Sequence, residues 1–242
     1  MASEGFQFKQ FYIAHHRCAM KVGTDGVLLG CWALRGYGLQ VTGYGRILDV
    51  GTGCGLIARM LMQRFPEADV EGIDIDEAAV EQAKGNGVRA FQARLQDWQN
   101  HKSQTTNHKY DLIVSNPPYF QNSLKNPDPS RQAARHTDTL SYAELIRHSA
   151  RLLSEDGQLA VILPADAEEE IMELAKQNGL LLVRITRVYS KESKPVRRVL
   201  MAFMKGIRGT EFRGLEEDTL VLEDDKGGRS AAYQELTKDF YL

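Results

Sequence analysis

Residues 110–119 read YDLIVSNPPY, an apolar run that stops at a polar residue, two prolines and an aromatic ring. A short run rich in β-branched residues before such a stop predicts a buried strand over residues 110–114. Pro117 and Pro118 remove two backbone donors and fix φ, so the carbonyl groups before them are held rigidly without partners. Asn116 adds a side-chain acceptor, and Tyr119 adds a flat ring. Residues 116–119 therefore predict a clamp for a planar molecule that carries an amino group.

The rest of the chain alternates between strand and helix patterns. Strands are predicted over 47–50, 70–74, 88–92, 157–163, near 180–188 and over 197–204, and helices over 56–64, 77–86, 142–153 and 166–177. A short buried helix is predicted after Thr24, a polar loop over 100–109, and a strand with a hairpin turn over 220–228. This alternation predicts right-handed βαβ units and a mostly parallel α/β sheet covered on both faces. Ligands of such sheets bind at the carboxyl ends of the strands.

Residues 49–55, DVGTGCG, lie between a predicted strand and a predicted helix. Glycines at alternate positions allow a tight turn and a close approach of a ligand to the backbone. The spacing differs from the nicotinamide fingerprint, which needs glycine where this chain has Leu56. Asp74 ends the next predicted strand, where an acid can accept both ribose hydroxyl groups of an adenosine-type cofactor. Asp97 follows the third strand, and it is either a partner of the adenine amino group or an ordinary loop acid.

The composition is that of a soluble globular protein. The chain has 242 residues, 43% of them apolar and 26% charged, with a net charge of −2. No apolar run is long enough for a membrane span, and no basic stretch followed by an apolar one marks a secretory signal. The three cysteines lack metal-ligand spacing. We therefore expect a cytoplasmic protein without a metal site.

Three segments carry clusters of basic residues. Residues 6–21 mix aromatic and basic side chains, a pattern typical either of single-stranded RNA binding or of a half-buried hairpin. Residues 184–213 contain nine Lys and Arg against two acids, either a polyanion-binding stripe or a solvated hairpin. Residues 120–139 form a long connection, predicted either to close over the substrate base or to be a bystander. The candidate RNA-binding residues of these segments are Lys9, Arg17, Lys21, Lys125, Arg131, Arg135, His136, Lys194, Arg197 and Arg198.

These motifs resemble those of class I S-adenosylmethionine-dependent methyltransferases. Residues 49–55 match their glycine loop, Asp74 their ribose acid, and residues 116–119 the signature of enzymes that methylate planar amino groups. The finer pattern is similar to that of the bacterial tRNA (adenine-37-N(6))-methyltransferases that act on a valine tRNA. This similarity is carried by Phe11 and by the stretches 15–21, 24–30, 134–136, 198–200 and 239–242.

The resemblance implies a Rossmann-like, seven-stranded sheet with helices on both faces, in one domain. That domain would comprise an N-terminal extension (1–45), a catalytic core (46–206) and a C-terminal extension (207–242). The implied cofactor is S-adenosylmethionine, held by Asp49, Gly51, Gly53, Gly55, Asp74, Asp97, Asn116, Thr24 and Asp25. Asn116, Pro117, Pro118 and Tyr119 would be catalytic. The implied partner is tRNA, bound by a monomer without a metal.

The clamp alone does not select the substrate. Similar enzymes methylate adenine or guanine amines in ribosomal RNA, or the glutamine side chain of release factors. A non-catalytic RNA-binding module with a retained methyltransferase fold is a further alternative, although the intact glycine loop, Asp74 and clamp oppose it. The basic stripe favours RNA over protein, so adenine in tRNA is the preferred prediction.

Overall fold

The computed structural model describes residues 4–18, 20–34, 45–102, 109–118, 140–205 and 214–241. Within them the strands are β1 (Gly5–Gln7), β2 (Tyr12–Ala14), β3 (Arg46–Val50), β4 (Asp69–Asp74), β5 (Arg89–Gln92), β6 (Tyr110–Ser115), β7 (Leu153–Pro164), β8 (Leu180–Tyr189), β9 (Val196–Lys205) and β10 (Glu216–Val221). The helices are α1 (Thr24–Trp32), α2 (Leu56–Arg64), α3 (Glu77–Gly85), α4 (Leu95–Lys102), α5 (Tyr142–Leu152), α6 (Glu168–Gln177) and α7 (Ala231–Thr237). A 3-10 turn, Ala165–Ala167, precedes α6.

Eight strands form one sheet in the order β10-β8-β9-β7-β6-β3-β4-β5. Strand β9 is antiparallel to both of its neighbours, and the other adjacent pairs are parallel. The predicted mostly parallel α/β sheet is therefore confirmed. Because β3, β4 and β6 are adjacent and parallel, the glycine loop, Asp74 and Asn116 all follow strand ends at one edge of the sheet.

The helices cover the two faces of this sheet. Alternate residues of a strand point to opposite faces, so Ile47 packs with α1, α2, α3 and α7, whereas Leu48 packs with α4, α5 and α6. The same alternation continues in β6, where Leu112 and Ile113 belong to opposite clusters. Both faces of the central strands are buried, as expected for a parallel sheet between two helical layers.

Three elements differ from the sequence-based expectations. Strand β10 is an eighth strand that lies parallel to β8, where the sequence suggested a hairpin strand near residue 220. Its acidic residues are held by Arg184 and Arg187 of β8, and cross-strand ion pairs of this kind do not produce an apolar strand pattern. Helices α4 and α7 were not predicted, because each is short and polar. No helix within the described ranges is long and apolar enough to cross a membrane.

The N-terminal hairpin packs against the C-terminal end of the chain. Strands β1 and β2 pair antiparallel, and the side chains of Phe8 and Phe11 between them are 0% and 7% exposed. Phe8 lies 5.9 Å from the ring of Tyr241, and Phe11 lies 6.5 Å from that of Phe240. Of the two interpretations of residues 6–21, the structure supports the half-buried hairpin for these rings, which have no face open for an RNA base.

Candidate active site

The glycine loop after β3 has two glycines that face open space. Gly51 and Gly53 have φ angles of 71° and 55°, and a Cβ atom added at either would meet nothing within 4 Å. Gly55 differs, because a Cβ there would lie 2.8 Å from the side chain of Val88. Backbone in the left-handed region favours glycine at all three positions. The backbone at Gly51 and Gly53 therefore leaves room for a ligand, whereas Gly55 is packed against its neighbours.

Asp49 stabilises the glycine loop through hydrogen bonds of its side chain. Its carboxyl group is fully buried, and Oδ2 accepts hydrogen bonds from the Thr52 hydroxyl at 2.8 Å and from the Ala58 N–H at 3.1 Å. Burial raises the pKa of Asp49 to about 7. Asp49 is outside the cavity described next, so the structure gives it a supporting position rather than a ligand contact.

A cavity of about 310 Å³ opens at this edge of the sheet. Its walls come from the loops after β2, β3, β4, β5 and β6 and from the start of α5. The lining residues are Cys18, Met20, Val50, Gly51, Gly53, Ile73, Asp74, Ile75, Asp76, Ala79, Ala93, Arg94, Leu95, Gln96, Ser115, Asn116, Pro117, Pro118, Leu140 and Glu144. The sequence-predicted residues that it brings together are therefore Gly51, Gly53, Asp74, Asn116, Pro117 and Pro118.

Asp74 joins two parts of this cavity. Its Oδ2 accepts from the N–H of Gly53 at 2.9 Å, and its Oδ1 accepts from the N–H of Asp76 at 3.0 Å. Each carboxylate oxygen has a second acceptor position. Asp74 can therefore hold the glycine loop and still accept hydrogen bonds from a diol in the cavity.

Asn116 lines the cavity, and its side-chain oxygen is a buried acceptor. The preceding residue, Ser115, is buried and donates its hydroxyl to the carbonyl oxygen of Val50 at 2.9 Å, which fixes the end of β6 to the end of β3. Asn116 Oδ1 is buried and has no hydrogen-bond partner among the described residues. Such an orphaned polar atom costs free energy unless a ligand satisfies it. Its position beside Pro117 is the one predicted for the clamp.

The cavity wall near α4 contains Gln96 rather than Asp97. Asp97 is exposed and does not line the cavity, whereas Gln96 does. Gln96 Nε2 donates to Glu144 Oε1 at 3.0 Å, and Glu144 forms a capping box with Ser141 at the start of α5. Hydrogen bonds from Gln96 and Ser141 hold the pKa of Glu144 below its usual range. Gln96 lies in the first turn of α4, a short polar helix that the sequence does not predict.

Thr24 and Asp25 lie outside the cavity wall, although both were predicted to contact the cofactor. They occupy the first turn of α1, where Gly23 is the N-cap. Asp25 Oδ2 accepts from Arg198 Nε at 3.0 Å, so the acid ties α1 to β9. Asp25 thus has a role in joining two elements.

The predicted RNA-binding residues of the N-terminal segment occupy two places. Lys9 Nζ donates to the carbonyl oxygen at the C-cap of α7 at 2.6 Å, on the side of the hairpin. Arg17 and Lys21 are exposed beside the cavity, since the neighbouring Cys18 and Met20 line it.

A second depression lies at the end of β7 and the turn between β8 and β9. It has a volume of about 570 Å³ and is lined by Pro164, Ala165, Asp166, Ser190, Lys194, Pro195, Val196, Arg197 and Arg198. The structure thus brings together the three predicted RNA-binding residues of the basic stripe. The remaining predicted residues, Tyr119, Lys125, Arg131, Arg135 and His136, fall outside the described residues.

The thiols of Cys18 and Cys54, near the glycine loop, lack the properties of a nucleophile. Burial, with the negative charges of neighbouring groups, raises the pKa of Cys18 to about 12, and burial raises the pKa of Cys54 to about 11. Since the thiolate is the reactive form, both side chains stay inert near neutral pH. Within the described part of the chain, no group of three or more His, Cys, Asp or Glu side chains could hold a metal ion.

Comparisons with known proteins agree with this geometry. The family described as "Methyltransferase small domain" matches residues 37–178. A protein of Parabacteroides distasonis, named tRNA1(Val) (adenine(37)-N6)-methyltransferase, is 44% identical over 246 residues, which cover 100% of this chain and 99% of the relative. A protein of the same name from Bacteroides fragilis is 42% identical with the same coverage. A solved structure of a "predicted O-methyltransferase" from Agrobacterium tumefaciens, at 17% identity, has a TM-score of 0.65 over 89% of this chain and 96% of its own.

Proposed function

Because the chain belongs to the family of tRNA1(Val) (adenine(37)-N6)-methyltransferases, we propose that it methylates the exocyclic amino group of adenine 37 in a valine tRNA. The chain is an S-adenosylmethionine-dependent methyltransferase, as its family establishes. The observation that carries the choice of an amino group as acceptor is Asn116 Oδ1, a buried atom with no hydrogen-bond partner among the described residues, on a residue that lines the cavity.

The cavity fits S-adenosylmethionine. Its volume is within the range of small-molecule sites. Gly51 and Gly53 leave open backbone where the methionine part would lie, and Asp74 has acceptor capacity for the ribose diol. Ile75, next to Asp74, is an apolar side chain that lines the cavity while half of its surface is exposed, as expected of a residue that packs on an adenine ring. When bound, S-adenosylmethionine supplies an electrophilic methyl group on a sulfonium.

Gln96 takes the role that the sequence suggested for Asp97. The Glu144 carboxylate only accepts hydrogen bonds, so it fixes Gln96 with Nε2 toward itself. Gln96 Oε1 is then left as the acceptor for the adenine amino group of the cofactor. This assignment places one acceptor for each polar part of the adenosine: Asp74 for the ribose and Gln96 for the base.

Asn116 and Pro117 act on the substrate base. An adenine amino group is a weak nucleophile because its lone pair is delocalised into the ring. Accepting its two hydrogens at Asn116 Oδ1 and at the Pro117 carbonyl draws the nitrogen toward tetrahedral geometry and localises that pair. No hydrogen bond to the Pro117 carbonyl is present in the described part of the chain, so this acceptor is available. Such positioning supplies a large part of the rate acceleration in enzymes.

The clamp is tested with Asn116→Ala. We expect the single-turnover rate on unmodified valine tRNA to fall about 100-fold or more, since a transition-state contact is lost. The dissociation constant for the cofactor, measured by calorimetry, should stay within about threefold. Asn178→Ala is the matched control, because Asn178 bonds only to the end of α6 in the described structure. A near-normal rate with Asn116→Ala would refute the clamp.

The substrate is tested with two transcripts of the valine tRNA, one carrying adenine and the other guanine at position 37. Labelled S-adenosylmethionine should transfer its methyl group to the first as N6-methyladenosine and leave the second unlabelled. Label in ribosomal RNA or in release factors, with none in the tRNA, would keep the fold and cofactor and overturn the substrate. We expect the enzyme to act as a monomer in the cytoplasm, where its tRNA substrate is found.

A further inference from the structure

The basic segment 184–205 divides into cations that have acidic partners and cations that do not. Five of its seven described Lys and Arg side chains form ion pairs: Arg184 with Glu216 and Asp218, Arg187 with Glu168 and Glu217, Lys191 with Glu223, Arg198 with Asp25, and Lys205 with Glu155. Lys194 and Arg197 have no acidic partner within the described residues. Among the described residues of this segment, acids therefore compensate the positive charge except at these two positions.

Lys194 and Arg197 sit together in the second depression. Both side chains are exposed, and the turn between β8 and β9 that carries them is closed by a hydrogen bond from the N–H of Lys194 to the carbonyl oxygen of Lys191 at 3.0 Å. Pro195, with its fixed φ, separates the two cations. Asp166 is the only acid among the described residues that line this depression.

The depression lies at the same sheet edge as the clamp. Strand β6, which ends before Asn116, pairs with β7, and β7 pairs with β9 at Pro164 opposite Arg198. Two strand spacings separate β6 from β9, roughly 10 Å. β7 extends three residues beyond Val161, the partner of Ser115, which adds roughly 10 Å along the strand. A polynucleotide whose base enters the clamp can therefore place nearby phosphates over this depression.

We propose that Lys194 and Arg197 bind backbone phosphates of the tRNA next to the target base, and that the paired cations of the segment do not. The inference rests on the proposed function. An exposed cation without a partner loses only bound water and counterions when it meets a phosphate, whereas a paired cation must first give up its carboxylate. Arg198, held by Asp25, shapes the depression and keeps α1 next to β9.

The test compares two double variants with the same change in net charge. Lys194→Ala/Arg197→Ala removes the unpaired cations, and Lys191→Ala/Lys205→Ala removes two paired ones. Binding of unmodified valine tRNA is measured from low to moderate salt. Each phosphate contact contributes roughly 0.7 to 0.9 to the slope of log K against log[salt]. We expect the slope to become shallower by about 1.4 to 1.8 in the first variant and by less than half of that in the second.

Two further measurements keep the result unambiguous. Cofactor affinity and thermal unfolding should match those of the unmodified enzyme in both variants, and Lys194→Gln/Arg197→Gln repeats the test if the alanine variant is unstable. Equal slopes in the two double variants, or no change in the first, would overturn the inference. Failure of the unmodified enzyme to bind or methylate valine tRNA would overturn the proposed function, and this inference with it.

Discussion

The backbone N–H of Gly53 donates to Asp74 Oδ2 across 2.9 Å, so the two sequence motifs assigned to the cofactor are bonded to each other. The second oxygen of Asp74 is bonded to the N–H of Asp76 at the start of α3. One carboxylate thus fixes the glycine loop and its own turn, and we propose that it also binds the ribose. Loss of the charge is expected to affect both cofactor affinity and the stability of the free protein.

Asp74→Asn should weaken S-adenosylmethionine binding about 10- to 100-fold, because a hydrogen bond to a charged group contributes about 1.5–3 kcal/mol. The amide of the introduced asparagine would also place an NH2 donor against the N–H of Gly53 or of Asp76. The free energy of unfolding should therefore fall by about 1–2 kcal/mol. Calorimetry and urea denaturation measure the two effects. Asp225→Asn is the control: it removes the same charge at an exposed position outside the cavity wall. Equal losses in the two variants would contradict a specific role of Asp74.

The proposed contact of Gln96 with the adenine amino group can be tested with two cofactor analogues. Gln96→Met should weaken binding of S-adenosylhomocysteine about two- to tenfold, the effect of one neutral hydrogen bond. Binding of S-inosylhomocysteine, which carries an oxygen in place of the adenine amino group, should not change. Gln92→Met is the matched control, since Gln92 bonds to the carbonyl oxygen of Ile75 and lies outside the cavity wall. Undiminished discrimination between the two ligands in Gln96→Met would exclude this contact.

The sequence predicts the regular part of the fold well. Helix α2 has the predicted bounds, and the strands from β3 to β9 differ from the predicted ones by a few residues at their ends. Apart from β5, an edge strand of four residues, these strands carry apolar patterns and lie inside the sheet. Strand β10 lacks such a pattern, because ion pairs with β8 hold its first half. Its position depends on partners about 30 residues earlier, which local patterns do not reveal.

Local sequence patterns also predict only part of the candidate site. Glycine spacing and the order of strands predict Gly51, Gly53, Asp74 and Asn116 in one cavity, since these residues follow adjacent parallel strands. The choice between Gln96 and Asp97 depends instead on how the first turn of α4 is rotated, which tertiary packing decides. In the basic segment, a count of charges cannot show which cations are paired, because the acids come from distant elements.

The buried Asp49 should make the free energy of unfolding depend on pH. Burial raises its pKa from 3.8 to about 7 in the folded state. Between these values the folded protein retains a proton that the unfolded chain releases, so the free energy of unfolding falls as the pH rises. The full effect is roughly 4 kcal/mol over about three pH units. Asp49→Asn removes this titration, so its stability relative to the unmodified protein should improve from pH 5 to pH 8. Parallel stability curves from urea denaturation would contradict the buried, protonated state.

The aromatic contact between the two ends of the chain is expected to stabilise the fold. Phe240 is 1% exposed and packs with Phe11 in the cluster that also holds α1 and α2. Phe240→Ala should lower the free energy of unfolding by about 3–5 kcal/mol, the usual result of removing a buried phenyl ring. Phe6→Ala is the matched control, because the ring of Phe6 touches the same cluster at 38% exposure. Its truncation should cost less than half as much in urea denaturation. Equal losses would mean that the C-terminal ring is not part of the core, and a loss below 1 kcal/mol for Phe240→Ala would separate the C-terminal segment from the stability of the sheet.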